Sequence, residues 1–248
     1  MRKRFYTLML AGIVVALGAY LYIANAYIYW RIGKAALPFL QIEKSYTMKN
    51  LSAGTERIYV SLGDSLTSGV GTDTYTKSYP YLLAQKLAAK GTVKLENFSY
   101  PGVRSQNLIA DFIPQVIASK PSIVTVLIGT NDIHDWVSAG QFEENYRHIL
   151  RALTASTTAK VYAVSIPYIG SNTLFLPPYN YYFDYETTEF NDIIRHVAAE
   201  YKVAYVDIAT PTRALFKYDG QMYSADSFHP SAEGYKLWSD ILYASIDK

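Results

Sequence analysis

Cysteine is absent from the 248 residues, which removes disulfides, zinc–thiolate sites, iron–sulfur clusters and thiol nucleophiles from consideration together. Histidine is scarce, with four in the chain, and no second Asp/His cluster follows a strand, so a two-metal centre is hard to furnish. Net charge is small at +2, and it divides unevenly. Residues 1–50 hold seven Lys/Arg against one acid, a net +6, whereas residues 51–248 hold sixteen against twenty, a net −4. A nucleic-acid partner needs clustered basic residues on the folded body. This body is mildly acidic, so nucleic acid is set aside. There is no internal repeat and no low-complexity tract.

What is present is a chain 50% hydrophobic and 18% charged, a balance that belongs to a packed globular protein rather than a disordered one. From Phe5 to Trp30 no residue is charged, and the run from Leu8 to Gly18 is apolar without helical periodicity. A segment of that length can span a bilayer. Arg2-Lys3-Arg4 ahead of it and Tyr27, Tyr29 and Trp30 at its end suit the inner basic flank and outer aromatic interface of a membrane helix. Ala24-Asn25-Ala26 also fits a signal-peptide cleavage site, but the apolar stretch exceeds the roughly 7–15 residues usual for such peptides.

Residues 1–30 are therefore expected to be an anchor, or alternatively a signal-like segment whose removal leaves a secreted protein. In the anchored case the N-terminus lies inside and the remainder outside the cytoplasm. Residues 31–55, with Pro38, Ser45, Ser52 and Gly54, read as a juxtamembrane tether, and residues 56–248 as one domain.

Within that domain short β-branched runs alternate with helical patterns. Strands are expected at 58–62, 93–98, 122–128, 160–166 and 203–208, and helices at 81–89, 105–119, 141–154, 187–201 and 231–246. Such alternation implies an α/β fold with a five-stranded parallel sheet covered on both faces by right-handed crossovers. In such sheets ligands sit beyond the carboxyl ends of the strands, at the point where strand order reverses.

The strand exits are where chemistry-bearing residues collect. After the first strand comes Gly63-Asp64-Ser65-Leu66, a serine at a glycine-flanked turn. After the second comes Pro101-Gly102-Val103, and after the third Gly129-Thr130-Asn131-Asp132. Between the fifth strand and the last helix stands Asp226-Ser227-Phe228-His229-Pro230. Together these offer a hydroxyl, a glycine N–H, a side-chain amide and a carboxylate–imidazole pair, which are the parts of acyl transfer. Each motif alone serves a turn equally well; their joint order is what carries weight.

On these residues the chain resembles the SGNH or GDSL esterases and lipases over roughly residues 56–248, with all four family blocks in order. The resemblance implies a flavodoxin-like three-layer α/β/α sandwich with strand order 2-1-3-4-5. It implies Ser65 as nucleophile, His229 as general base and Asp226 as its orienter. The N–H groups of Ser65 and Gly102 and the amide of Asn131 would form the oxyanion hole. The asparagine often found just ahead of the second-block glycine is displaced here to Asn97, which makes Gly102 the least secure donor.

Serine chemistry of this kind needs no metal and no organic cofactor. The expected partners are an ester substrate, drawn from lipids, lysophospholipids or acylated glycans, and a membrane reached through the N-terminal helix. Competing readings are an O-acyltransferase acting on a surface glycan and a catalytically silent binding module on the same scaffold. An α/β-hydrolase elbow is disfavoured because Gly-x-Ser-x-Gly would need glycine where Thr67 stands. A metal-dependent phosphoesterase using Asp64, Asn131, Asp132 and His229 is a further competitor. His148 and His196 fall in helical stretches and read as surface or packing residues, and His134 as part of a solvated loop. The aromatic stretch between Pro167 and Glu186 is expected either to line the acyl site or to cover the sheet.

Overall fold

The computed structural model describes residues 2–35, 45–49, 56–169 and 171–246. A long helix, α1 (Arg2–Ile32), leads into the edge strand β1 (Ser45–Met48). The domain then runs β2 (Glu56–Gly63), α2 (Tyr79–Leu87), β3 (Thr92–Ser99), α3 (Ser105–Asn107), α4 (Ile113–Ala118), β4 (Ile123–Leu127), α5 (Thr130–His134) and α6 (Ala139–Ser156). It closes with β5 (Lys160–Val164), α7 (Tyr179–Glu200), β6 (Ala204–Val206), α8 (Ala209–Tyr218) and α9 (Ala232–Ile246).

The sheet has six strands in the order β1-β3-β2-β4-β5-β6. Without β1 this is the expected 2-1-3-4-5 arrangement, every neighbour parallel. The five-strand expectation is corrected by β1, which pairs antiparallel with β3 from Ser45 opposite Glu96 to Met48 opposite Val93. Its four residues are too short for a periodic pattern to register, and the strand is completed by pairing along the open edge of β3. They fall within the segment read as a tether, of which residues 36–44 and 50–55 lie outside the described residues. The helix also runs two residues past the expected boundary at Trp30.

Alternation along the strands separates two cores. Val60, Leu62, Val124 and Val126 face α4, α6 and α7 through Val116, Phe142, Ile149 and Ile194. Tyr59, Ile123 and Leu127 face α2 and α9 through Leu83, Tyr235 and Trp238. β4 is buried along its whole length, as a central strand covered on both faces must be. The helix expected over 105–119 is interrupted by a π turn at Leu108–Phe112. Pro114, two residues past the end of that turn, has no N–H to continue the regular ladder.

Gly63 is level with Ser99 on β3 and with Leu127 on β4. The exits of these three central strands therefore open side by side, where the sheet's connections diverge to left and right of β2.

Candidate active site

Immediately after Gly63 the chain folds into a tight turn. Thr67 and Ser68 donate their N–H groups to Asp64 O at 3.1 and 2.9 Å, and Val70 N–H donates to Ser65 O at 3.1 Å. Asp64 Oδ1 accepts from Leu66 N at 2.9 Å, so the carboxylate braces the turn that carries Ser65. Glycine at 63 is required by space, since a Cβ there would collide with Thr67 and the Leu127 carbonyl. Asp64 is wholly buried, and burial pushes its carboxyl up to about 7, partly offset by the Leu66 hydrogen bond.

The loop before α9 meets this turn. Gly71, at φ +100°, comes so close that a side chain would lie 2.6 Å from Pro230 O and 2.9 Å from His229 Cβ. His229 Nε2 is 2.9 Å from Ser65 Oγ, and His229 Nδ1 is 2.5 Å from Asp226 Oδ2. The other oxygen, Asp226 Oδ1, accepts from Ser224 Oγ at 2.6 Å, Phe228 N at 2.9 Å and His229 N at 3.0 Å. Ser227 sits at φ 61°, and this left-handed residue reverses the chain so that the next two N–H groups point back at the carboxylate. Burial works to raise the Asp226 carboxyl, but the hydrogen bond and charge of His229, with the donors from Ser224 and Phe228, hold it below the ordinary carboxylate value.

The third block begins α5. Asn131 Nδ2 donates to Val103 O at 2.9 Å and lies 3.5 Å from Asp64 Oδ2, joining the first three blocks. Its second amide hydrogen has only that long contact. Gly102 takes φ 81°, and a Cβ there would meet nothing, so backbone conformation rather than space is what favours glycine. Asn97 lies within β3, where its carbonyl oxygen accepts from Ser61 and Ser99 at 3.1 and 2.7 Å.

The bracing role of Asp132, and Asn145 altogether, escaped the sequence reading. Buried Asp132 accepts from Ser105 N at 2.9 Å and Ser105 Oγ at 2.5 Å, and Asn145 Nδ2 donates to that hydroxyl at 2.9 Å. This network clamps α5 to α3 and α6. Asn145 offered no sequence signal, because a single amide on an amphipathic helix reads as a surface position. His134 departs from the solvated-loop expectation: it ends α5 with its ring against Tyr29 at 5.8 Å and Phe183 at 6.1 Å, and burial lowers its pKa. His148 and His196 are exposed on α6 and α7.

The stretch from Pro167 to Glu186 is half loop and half helix, since α7 begins at Tyr179. Tyr168, Leu174, Phe175 and Phe183 are buried, and Phe175 packs on Phe228, which packs edge-on to the His229 ring. These buried side chains cover the sheet edge and buttress the histidine, while Tyr181 and Tyr185 of the same stretch stay exposed. Among the described residues no group of three or more His, Asp or Glu side chains comes together as metal ligands.

The chemistry available is therefore a hydroxyl in line with an imidazole that is itself held by a buried carboxylate, beside an amide donor. A family model, the GDSL-like lipase/acylhydrolase family, matches residues 61–237, from within β2 into α9. The chain belongs to this family. It is accordingly a carboxylic ester hydrolase.

Solved structures share the fold of this GDSL-like hydrolase. The acetylxylan esterase Axe2 of Geobacillus stearothermophilus matches with a TM-score of 0.63 at 19% identity, covering 77% of this chain and 94% of that one. A lipase/acylhydrolase of Enterococcus faecalis matches with a TM-score of 0.62 at 21% identity over 77% and 95% of the two chains. LAE5, an alpha/beta hydrolase from the metagenome of Lake Arreo, gives 0.64 at 20% identity over 79% and 96%. No curated protein sequence matches the chain.

Proposed function

We propose that this hydrolase cleaves carboxylic esters through an acyl-serine intermediate built on Ser65. His229 Nε2 takes the Ser65 proton as Oγ attacks the ester carbonyl. The oxyanion is met by the N–H groups of Ser65 and Gly102 and by the Asn131 amide. His229 returns the proton to the departing alcohol, leaving the acyl group on Ser65. It then deprotonates a water that attacks this acyl group, and regenerates Ser65 as the acid leaves. Asp226 keeps the imidazole in the tautomer with Nδ1 protonated and stabilises the imidazolium. The observation that carries this reading is the hydrogen-bonded line from Ser65 through His229 to Asp226, at 2.9 and 2.5 Å.

In the same reading α1 is an uncleaved anchor with its N-terminus inside and the hydrolase outside. Its mean hydropathy of 2.1 over the apolar window supports a span. So does the burial of Ala24 and Ile28 against the domain, because cleavage after Ala26 would remove one of these contacts and sever the helix beside the other. Membrane-surface lipids and acylated glycans are then within reach, and the likeness of fold to an acetylxylan esterase makes short acyl groups on glycans worth testing.

A series of p-nitrophenyl esters from acetyl to palmitoyl, with and without an acceptor sugar, tests both the reaction and the acyl preference. Hydrolysis and organophosphonate labelling are expected in the parent and absent in Ser65→Ala. Labelling that persists in the variant would move the nucleophile elsewhere, and acyl-sugar product would make the enzyme a transferase.

A further inference from the structure

The outer part of α1 is docked onto the hydrolase rather than strung from it. Tyr20 OH donates to Pro177 O at 2.6 Å and Tyr27 OH to Thr173 O at 3.1 Å, while Tyr179 OH reaches back to Leu21 O at 3.4 Å. Ala24 and Ile28 are buried one turn apart, and Ile28 belongs to the core beneath the sheet. At its end Tyr29 packs on His134, and the Arg31 guanidinium donates to the Ser227 hydroxyl. The helix thus crosses the catalytic edge and touches both α5, which carries Asn131, and the loop that carries His229.

Helix geometry converts these contacts into depths. At 1.5 Å per residue Tyr20 lies about 24 Å, and Arg31 about 40 Å, along the axis from Arg4. A hydrocarbon core of about 30 Å measured from the basic flank ends near residue 24, and an ordinary tilt of about 20° shortens these heights by only about 6%. The Pro177 loop and the first turn of α7, held level with Tyr20 and Leu21, then sit about 5 Å inside the outer hydrocarbon boundary. Arg31, and with it Ser227 two residues from His229, sits at headgroup level.

The surface presented there has the composition such a boundary favours. Trp30 is exposed with Lys34 Nζ 3.4 Å above its ring. Trp136 is 69% exposed and stacks on Tyr182 at 4.5 Å, and Tyr181 in the first turn of α7 is 70% exposed. Aromatics this exposed on a protein rim forgo apolar burial that a lipid interface would supply.

We propose that this rim is a bilayer-docking surface, fixed by α1, which holds the catalytic edge that carries Ser65 and His229 at headgroup depth so that the hydrolase works on esters presented by the outer lipid surface. The inference rests on the reading of α1 as an uncleaved anchor.

The test uses the full chain carrying Trp30→Phe, reconstituted in phosphatidylcholine/phosphatidylglycerol vesicles. Lipids brominated near the glycerol end of their acyl chains serve as quenchers, and buried Trp238 serves as an internal reference. Quenching of emission is expected and should disappear when Trp136→Phe is added. Equal quenching with and without Trp136 would overturn the docking. In a second arm, Trp136→Ser with Tyr181→Ser is expected to slow hydrolysis of a vesicle-resident lipid ester several-fold while leaving p-nitrophenyl acetate hydrolysis unchanged. Unchanged rates on both substrates, or equal losses on both, count against it.

Failure of the parent to hydrolyse any ester would instead strike the acyl-serine reading, and the quenching arm remains decisive because it needs no activity. An intact mass lacking the first twenty-six residues would remove the anchor and this inference with it.

Discussion

Replacing Asp226 by asparagine changes one atom of a fully buried side chain, yet it reverses the proton logic of the site. Asp226 Oδ1 accepts three hydrogen bonds from Ser224, Phe228 and His229, and an asparagine carbonyl oxygen can accept the same three. The loop should therefore keep its shape. The Oδ2 position, 2.5 Å from His229 Nδ1, becomes an NH2 group. It can only donate, so the imidazole must present a lone pair at Nδ1 and carry its proton on Nε2, facing Ser65. That tautomer cannot accept the serine proton. The negative charge that would stabilise the imidazolium is lost as well. Two unit charges about 4 Å apart at an effective dielectric of about 20 interact by about 4 kcal/mol, close to three powers of ten in rate. With the tautomer penalty added, kcat on p-nitrophenyl acetate at pH 7 is expected to fall by about 10³–10⁴. The melting midpoint should move little. A kcat within tenfold of the parent, in a variant that folds, would refute the assignment of Asp226 as the group that orients His229.

Two further outcomes follow from the same geometry. Asn131→Ala should lower kcat by roughly 10²–10³ with KM for p-nitrophenyl acetate little changed, and should cost about 1 kcal/mol of stability because the Val103 carbonyl loses its donor; a kcat matching the parent would remove the amide from the oxyanion site. Asp64 offers a test by pH. Its carboxyl moves from 3.8 to about 7 on folding, so the folded state holds a proton that the unfolded chain releases. The resulting destabilisation is absent below about pH 4, grows as pH rises to about 7, and reaches the order of 4 kcal/mol. Asp64→Asn removes it, so the difference in melting midpoint, variant minus parent, should become more positive between pH 4 and pH 7. A flat difference across that window would contradict the burial argument.

Much of this protein was legible in one dimension, and the reasons differ by element. β4 declared itself because a central strand buried on both faces is apolar without interruption. The apolar run of α1 stood out because it is long and carries no charge. The first three motif blocks were readable because each stands within a few residues of a strand exit, and strand exits follow from hydrophobic pattern; the fourth, some twenty residues past β6, was readable from its own Asp-x-x-His spacing ahead of the last helix. Short elements gave no such signal: β1 and α5 are four and five residues long, and α8 lies in a stretch that no expected helix covered. The first turns of α7 were hidden by their aromatics, which read as a loop because tyrosine and phenylalanine are not strong helix formers.

The sequence by itself determined the chemical inventory. It excluded thiol and disulfide chemistry, supplied a serine, a histidine and a carboxylate in order, and separated a basic apolar start from an acidic α/β body. Only the tertiary structure decided that Ser65 and His229, 164 positions apart, lie 2.9 Å from each other, that Asp132 and Asn145 brace the Asn131 helix, and that α1 rests on the catalytic edge. The physical reason is that composition and periodicity encode local conformation and burial. Contacts between distant loops depend instead on strand register and crossover, which bring the exits after Gly63, Ser99 and Leu127 level and let Arg31 touch Ser227 across almost the whole chain.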